Sequence, residues 1–355
     1  MQVKTTQTIA VLGIALAALA CGDADDREEM TGADSGLTIG DSGITDTDPS
    51  SDSDDESGIG SETGFDTTPP DPTAAGDEGS SDAGCRAVDL LFVIDNSGSM
   101  EDEQANLISS FPGFINAMKS QLSQDLGYHV GITTSDLYAG SFDCLQEGAL
   151  ITQTAGGGAS NQACGPYTSG KRYMTEDDDL EARFSCAAQV GIEGDGDERP
   201  MQTMLAAVAD PITGPGGCNE GFLRDDALLV VVLITDEEDD HEAMGCNNGM
   251  VNTDPQDGSA GEPDQWYDQI VAVKGGDERR VVVLSLVGPQ GLAACPALQK
   301  CEGGIVGAEV ANRVIDFTNR FTYGYVGPVC EPYGPFFSES ISNIVTACDD
   351  FTPVG

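Results

Sequence analysis

Positive charge is scarce in this chain. Fifteen Lys and Arg residues stand against 61 Asp and Glu among 355, a formal net charge of -46. Nucleic-acid binding needs a basic footprint to displace counterions, and this balance argues against it. Acidic partners are disfavoured too, unless a cation mediates. Histidine is nearly missing: His129 and His241 are the only two, with no HExxH or HxH pattern. A zinc protease, or a Ser-His-Asp hydrolase built on His241, therefore has little support. No CxxC pair occurs, which disfavours a cytosolic metal cluster. The N-terminal apolar run IAVLGIALAALA has twelve residues, too few to span a bilayer as a helix.

That run, following MQVKTTQT with its single lysine, reads as the core of an export signal. It ends in Ala18-Leu19-Ala20-Cys21. Small residues before a cysteine resemble the lipobox of bacterial lipoproteins, although Ala18 stands where leucine is usual. The resemblance implies a signal peptide over 1–20, cleaved before a lipidated Cys21, and a protein held by that lipid to the outer membrane of a Gram-negative envelope. An ordinary secretory signal is the alternative. The eleven cysteines fit the lipid reading. With Cys21 acylated ten remain, an even set consistent with five disulfides in an oxidising compartment.

Residues 21–84 are Gly, Ser, Thr, Asp and Glu with a few prolines, as in DTDPSSDSDDESGIG. So little apolar surface cannot offset chain entropy, and the segment reads as a disordered, self-repelling acidic tether. No EF-hand register occurs in it. From Cys85 to the end, 85–355, apolar periodicity sets in. AVDLLFVID, YHVGITTS, ALLVVVLIT and RRVVVLSLV are short β-branched-rich runs suited to strands buried on both faces. Helical patterns alternate with them: ANLISSFPGFINAMKSQL, LEARFSCAAQVG, MQTMLAAVA, DQWYDQIVAVK, AEVANRVIDFTNRF and FFSESISNIVTAC. This alternation predicts an α/β fold, an open, mostly parallel Rossmann-like sheet with helices on both faces. In such folds the site lies at the carboxyl ends of the strands, which points to the loops after Ile94 and Thr235.

Two strand runs end there in aspartate, LLFVID at Asp95 and VVVLITD at Asp236. If the two strands are neighbours, their carboxylates and the hydroxyls of Ser97 and Ser99 can converge on one hard divalent cation, Mg2+, Ca2+ or Mn2+. Asp95-Asn96-Ser97-Gly98-Ser99 resembles the DxSxS signature of von Willebrand factor type A (VWA) domains, over a span of roughly Ala87 to Phe351. The resemblance implies a VWA fold and a metal-ion-dependent adhesion site (MIDAS). Ser97 and Ser99 would bind the ion directly, and Asp95 and Asp236 directly or through water.

The chain departs from the family pattern twice. Where a middle-loop threonine is usual, GDGDERPMQTMLAAV puts Glu198 in the best register, Thr203 would fall inside the helix, and a site with no ligand from this loop is the alternative. Three carboxylates around one ion would lower its net positive charge and its pull on a partner carboxylate. After Asp236 the chain runs Glu237-Glu238-Asp239-Asp240-His241 where glycine is common. That stretch reads as a solvated acidic loop, or else as a feature favouring Ca2+ or a second ion.

Other motifs carry ordinary readings. GPYTSGK at 165–171 is followed by Arg172 rather than Ser or Thr and has no strand before it, so it reads as a disulfide-tied surface loop, not a P-loop. His129 is expected to be a packed or edge histidine, and Trp266 to pack in the core. The region from about Leu145 to Asp179 is long for a connection and is a place where specificity could reside. Together these features predict an exported, lipid-anchored binding protein whose cation ligates an acidic residue of a protein partner. The alternative is a Ca2+ ion that only stabilises the domain, and an enzyme is not expected.

Overall fold

The computed structural model describes residues 84–122, 126–196, 198–240, 242–247, 250–253, 258–291, 295–298 and 307–352. The signal peptide, Cys21 and the acidic tether as far as residue 83 lie outside them, as does His241. The first strand, β1 (Ala87–Ile94), is buried at every position, as its apolar run, interrupted only by Asp89, leads one to expect. It is followed by α1 (Glu101–Gln121), β2 (Gly127–Thr134), the short β3 (Met174–Thr175) and α2 (Leu180–Ala188). Next come α3 (Pro200–Val208), α4 (Asp210–Thr213) and the fully buried β4 (Leu228–Ile234). A two-stranded hairpin, β5 (Glu242–Asn247) and β6 (Met250–Thr253), precedes α5 (Pro263–Val273) and β7 (Val281–Val287). The described elements end with α6 (Asn312–Thr318), β8 (Gly324–Pro328) and α7 (Tyr333–Asp349).

Six strands form one sheet in the order β3-β2-β1-β4-β7-β8, parallel except for the antiparallel edge strand β3. The helices cover both faces, which strand periodicity dictates. On one face Val88, Leu90, Phe92 and Ile94 of β1 pack with α1, α2 and α7. There Phe92 meets Phe111 edge-on at 5.9 Å and Phe184 at 4.8 Å. On the other, Leu91 and Val93 pack with Met201 and Met204 of α3, Trp266 of α5 and Phe317 of α6. Fully burying each such side chain contributes about 1.5–3 kcal/mol, so these two layers dominate the cohesion of the fold. Trp266 is fully buried, donates from Nε1 to the Ala260 carbonyl at 2.8 Å and lies under the Arg313 guanidinium.

Disulfides supplement the core. Cys85–Cys348 ties the start of β1 to the end of α7, closing 263 residues. Cys144–Cys218, Cys164–Cys186 and Cys295–Cys330 staple loops. Four of the five expected bridges are thus seen among the described residues, and the side chains of Cys246 and Cys301 lie outside them.

Strand order locates the functional end. From β1 the chain crosses to β2 on one side, and it later returns to β4 on the other. The carboxyl ends of β1 and β4 therefore flank the topological switch point, where open α/β sheets bind ligands.

Candidate metal centre

Register brings the two strand-end loops together. Ile94 pairs with Ile234, and the Asp95 amide donates to the Ile234 carbonyl at 2.9 Å. Asp95 is buried. Its Oδ1 accepts from the Ser97 amide at 2.7 Å and its Oδ2 from the Thr235 hydroxyl at 2.7 Å. Thr235 thus links the β4 loop to the Asp95 carboxylate, a contact the sequence reading missed because the two lie 140 residues apart. The Ser97 and Ser99 hydroxyls face each other at 3.3 Å. Gln104 of α1 fixes the loop from behind, donating from Nε2 to the carbonyls of Asp95 at 3.1 Å and Gly191 at 2.8 Å. Its Oε1 accepts from the Gly191 amide.

Asp236 follows on β4, buried, with both carboxylate oxygens enclosed and without a hydrogen-bond partner. Glu198 enters from the loop that opens α3, and both its oxygens are likewise buried and unpartnered. The Ser99 and Ser135 hydroxyls lie close enough to Asp236 and Glu198, respectively, to lower their pKa values somewhat, without reaching hydrogen-bond geometry. Burial first, and then the negative charge of Asp95, push the Asp236 carboxyl up to about 9 and Glu198 well above the usual carboxylate range. Burial also raises Asp95, against the opposing hydrogen bonds from Thr235 and Ser97. The structure thus gathers Asp95, Ser97, Ser99, Glu198 and Asp236 at one end of the sheet. Thr203 lies inside α3, buried, with its hydroxyl unpartnered.

Buried carboxylates without a counter-charge are costly, and they neutralise by protonation or by binding a cation. The donor set is oxygen only, which suits hard divalent ions. Among the described residues no three His, Cys, Asp or Glu side chains form a metal cluster by themselves. An ion here would need the serine hydroxyls as well as the acids. The orphaned oxygens of Asp236 and Glu198 fit that role.

The acids after Asp236 do not form a solvated loop throughout. Glu238 and Asp239 are buried. Glu238 accepts from the amides of Arg313, at 2.9 Å, and Asp239, at 3.1 Å. Asp239 accepts from the Ser259 amide at 2.7 Å and hydroxyl at 2.6 Å, and from the Met201 amide at 3.0 Å. The last bond satisfies an orphan donor of the first turn of α3, and so ties the β4 loop to the helix that Glu198 precedes. These oxygens serve the scaffold, a role that charge patterning alone could not distinguish from hydration.

The remaining motifs keep their ordinary roles. Cys164 and Cys186 staple the GPYTSGK loop. His129 lies near the other end of the sheet, in register with Asp89, six residues or about 20 Å of strand before Asp95.

No protein-family model and no curated protein matches the chain. Among solved structures it is similar to proximal thread matrix protein 1 from the mussel byssus, at 11% identity over 74% of this chain and 49% of that one, with a TM-score of 0.36. It is similar to the pilus adhesin SpaC of Lactobacillus rhamnosus GG at 10% identity, over 74% and 30%, with a TM-score of 0.36. A von Willebrand factor type A structure from Catenulispora acidiphila matches at 12% identity, over 73% and 42%, with a TM-score of 0.31. One mussel-protein structure has a zinc-occupied MIDAS motif. The chain spans about half or less of the length of each of these structures. What stands from its own strand order is an open, mostly parallel α/β sheet with the Asp95 loop at its switch point, similar at low identity to von Willebrand factor type A structures.

Proposed function

We propose that this chain is an exported, cation-dependent protein-binding module. The reading rests on one observation: Asp236 and Glu198 are each buried within reach of the Asp95 charge at the switch point, and the oxygens of both are unpartnered. Asp95, Ser97, Ser99, Glu198 and Asp236 hold a divalent cation, Mg2+ or Ca2+, in this reading. The ion supplies a positive centre able to accept a carboxylate from a protein partner. The protein's residues hold the loops in place: Thr235 and the Ser97 amide orient Asp95, and Gln104 fixes the backbone behind it. A divalent ion offsets at most two of the three carboxylate charges, so such a site has no surplus positive charge, retains its ion firmly and pulls weakly on a partner acid.

Export agrees with the disulfides, which persist in oxidising compartments. Cleavage before Cys21, lipid attachment there and display on the acidic tether of residues 21–84 at an outer-membrane surface complete the proposal. Binding rather than catalysis is part of it. The depth of the acids favours one second reading, a Ca2+ ion that stabilises the domain without touching a partner.

Calorimetric titration of the metal-stripped protein with Mg2+ and Ca2+ tests the site, with Asp95→Ala as control. Saturable binding that this substitution abolishes is expected; equal heats in both proteins would remove the metal reading. Capture of partners from the native cell surface with and without EDTA separates the two roles. EDTA-insensitive capture, with thermal stability still falling on chelation, would select the structural ion. Cys21→Ser should release the protein from membranes, and continued retention would count against the lipid anchor.

A further inference from the structure

Beside the metal rim runs a cleft of about 320 Å³ whose lining includes Asn96, Asp136, Leu137, Tyr138, Phe142 and Glu193. Asn96 belongs to the Asp95 loop itself, so the two sites share a wall. Among the described residues the large apolar side chains that stand exposed are Leu137 (51%), Phe142 (69%) and Leu145 (61%). All three fall within nine residues of the loop after β2. Single exposed apolar residues are ordinary, but two of these, Leu137 and Phe142, line the same cleft, and such a pairing marks a contact surface.

The loop that carries them is held in place. The Tyr138 hydroxyl donates to the Val190 carbonyl at 2.8 Å and accepts from the Ala155 amide at 3.2 Å. Arg172 pairs with Asp143 and donates to the Ser141 hydroxyl at 2.7 Å. Cys144–Cys218 and the bond from Gln153 to the Gly140 carbonyl at 3.2 Å complete the frame. The ordering cost of the apolar side chains' backbone is therefore met before any partner arrives.

Charge selects the occupant. The charged residues of the lining are Asp136 and Glu193, and no Lys or Arg contributes to it. Asp136 is buried and accepts from the Asp195 amide at 2.9 Å and the Thr134 hydroxyl at 3.2 Å. Glu193 is exposed. Two acids beside an aromatic and aliphatic surface match a side chain with an apolar stem and a cationic head.

We propose that this cleft is a recognition subsite for a lysine or arginine of a partner polypeptide, whose stem lies on Leu137 and Phe142 and whose head meets Glu193 and Asp136. It deepens the reading of the rim as a protein-binding site and rests on it, although none of the lining residues is one of the metal ligands. A partner segment carrying both an acid and a base would then engage the rim and the cleft together.

The test uses the full chain with Mg2+ and a random peptide library displayed on phage. Enriched sequences should carry Lys or Arg next to an apolar residue, and synthetic copies should lose about fivefold in affinity when that base is replaced by Gln. Glu193→Gln should erase this discrimination, and Phe142→Ser should weaken all the peptides about tenfold. Repeating the measurement in EDTA and with Asp95→Ala keeps the two readings apart. If overall affinity and the preference for a base both survive, the metal-mediated reading fails while the cleft stands. The proposal is overturned by enrichment without a basic excess, by no enrichment, or by a discrimination that Glu193→Gln leaves intact. Self-association of the chain that Phe142→Ser abolishes would likewise overturn it, by making a second copy the occupant.

Discussion

Asp89 and Asp95 lie on or just beyond the same strand, six residues apart, both buried, and they meet opposite surroundings. Near the amino end Asp89 is gripped by Arg224, which donates from Nε to Oδ1 at 2.8 Å and from its backbone amide to Oδ2 at 2.7 Å. The His129 ring stands 3.6 Å away, and the ammonium of buried Lys274 adds attraction. Burial raises the Asp89 carboxyl to about 6, with Arg224 holding it down, so it is ionised at neutral pH. At the carboxyl end Asp95 is surrounded by hydroxyls, amides and two more acids, with no protein cation among its hydrogen-bond partners. The same residue type on one strand is thus completed by the protein at one end, and at the other by something the protein must bind. A buried acid near a strand end becomes a functional signal only when its counter-charge is missing.

The most severe way to break this contrast is to make the amino end resemble the other. Arg224→Ala leaves Asp89 buried without its partner and should cost about 3–5 kcal/mol in urea denaturation. Added metal ion should not restore it. Next in size, Mg2+ or Ca2+ at a hundredfold above its Kd should stabilise the native protein by about 2.7 kcal/mol, a gain that Asp95→Ala loses. The pH dependence of the metal-stripped protein sharpens the comparison further. Native Asp236 keeps its proton up to about 9, whereas the unfolded chain releases it near 3.8. Between those values the native state binds more protons, so stability should fall as pH rises, by up to about 1.4 kcal/mol per unit for each such group. Denaturation of the stripped protein from pH 5 to 9 measures this slope, and bound metal should reduce it. The smallest effect is expected from Glu198→Gln. The substitution replaces an acid held protonated without metal, so stripped stability should change by less than about 1 kcal/mol while the pH slope flattens and ion affinity drops.

Much of this organisation was legible in the sequence. The buried strand runs, the helices between them and the acids at two strand ends follow from residue pattern alone. Other elements were hidden for identifiable reasons. Strand β8 is Gly-Tyr-Val-Gly-Pro, a glycine- and proline-bearing edge segment without the β-branched signal. Strand β3 has two residues, too few for any period. Helix α1 runs through Pro112 as its pattern predicted, but begins at Glu101, ahead of the apolar pattern that starts at Ala105, because acids suit a helix's first turn.

By itself the sequence determined that a strand would deliver Asp95, Ser97 and Ser99 to one loop, because strand and helix periodicities are local properties of the chain. Three matters were decided only in three dimensions. One was that Asp89 would find Arg224, 135 residues away. Another was that Asp239 would be used to hold α3. The third was that Asp236 and Glu198 would be buried with unpartnered oxygens. Charge compensation depends on which groups folding brings within a few ångströms of each other, and linear order does not record that.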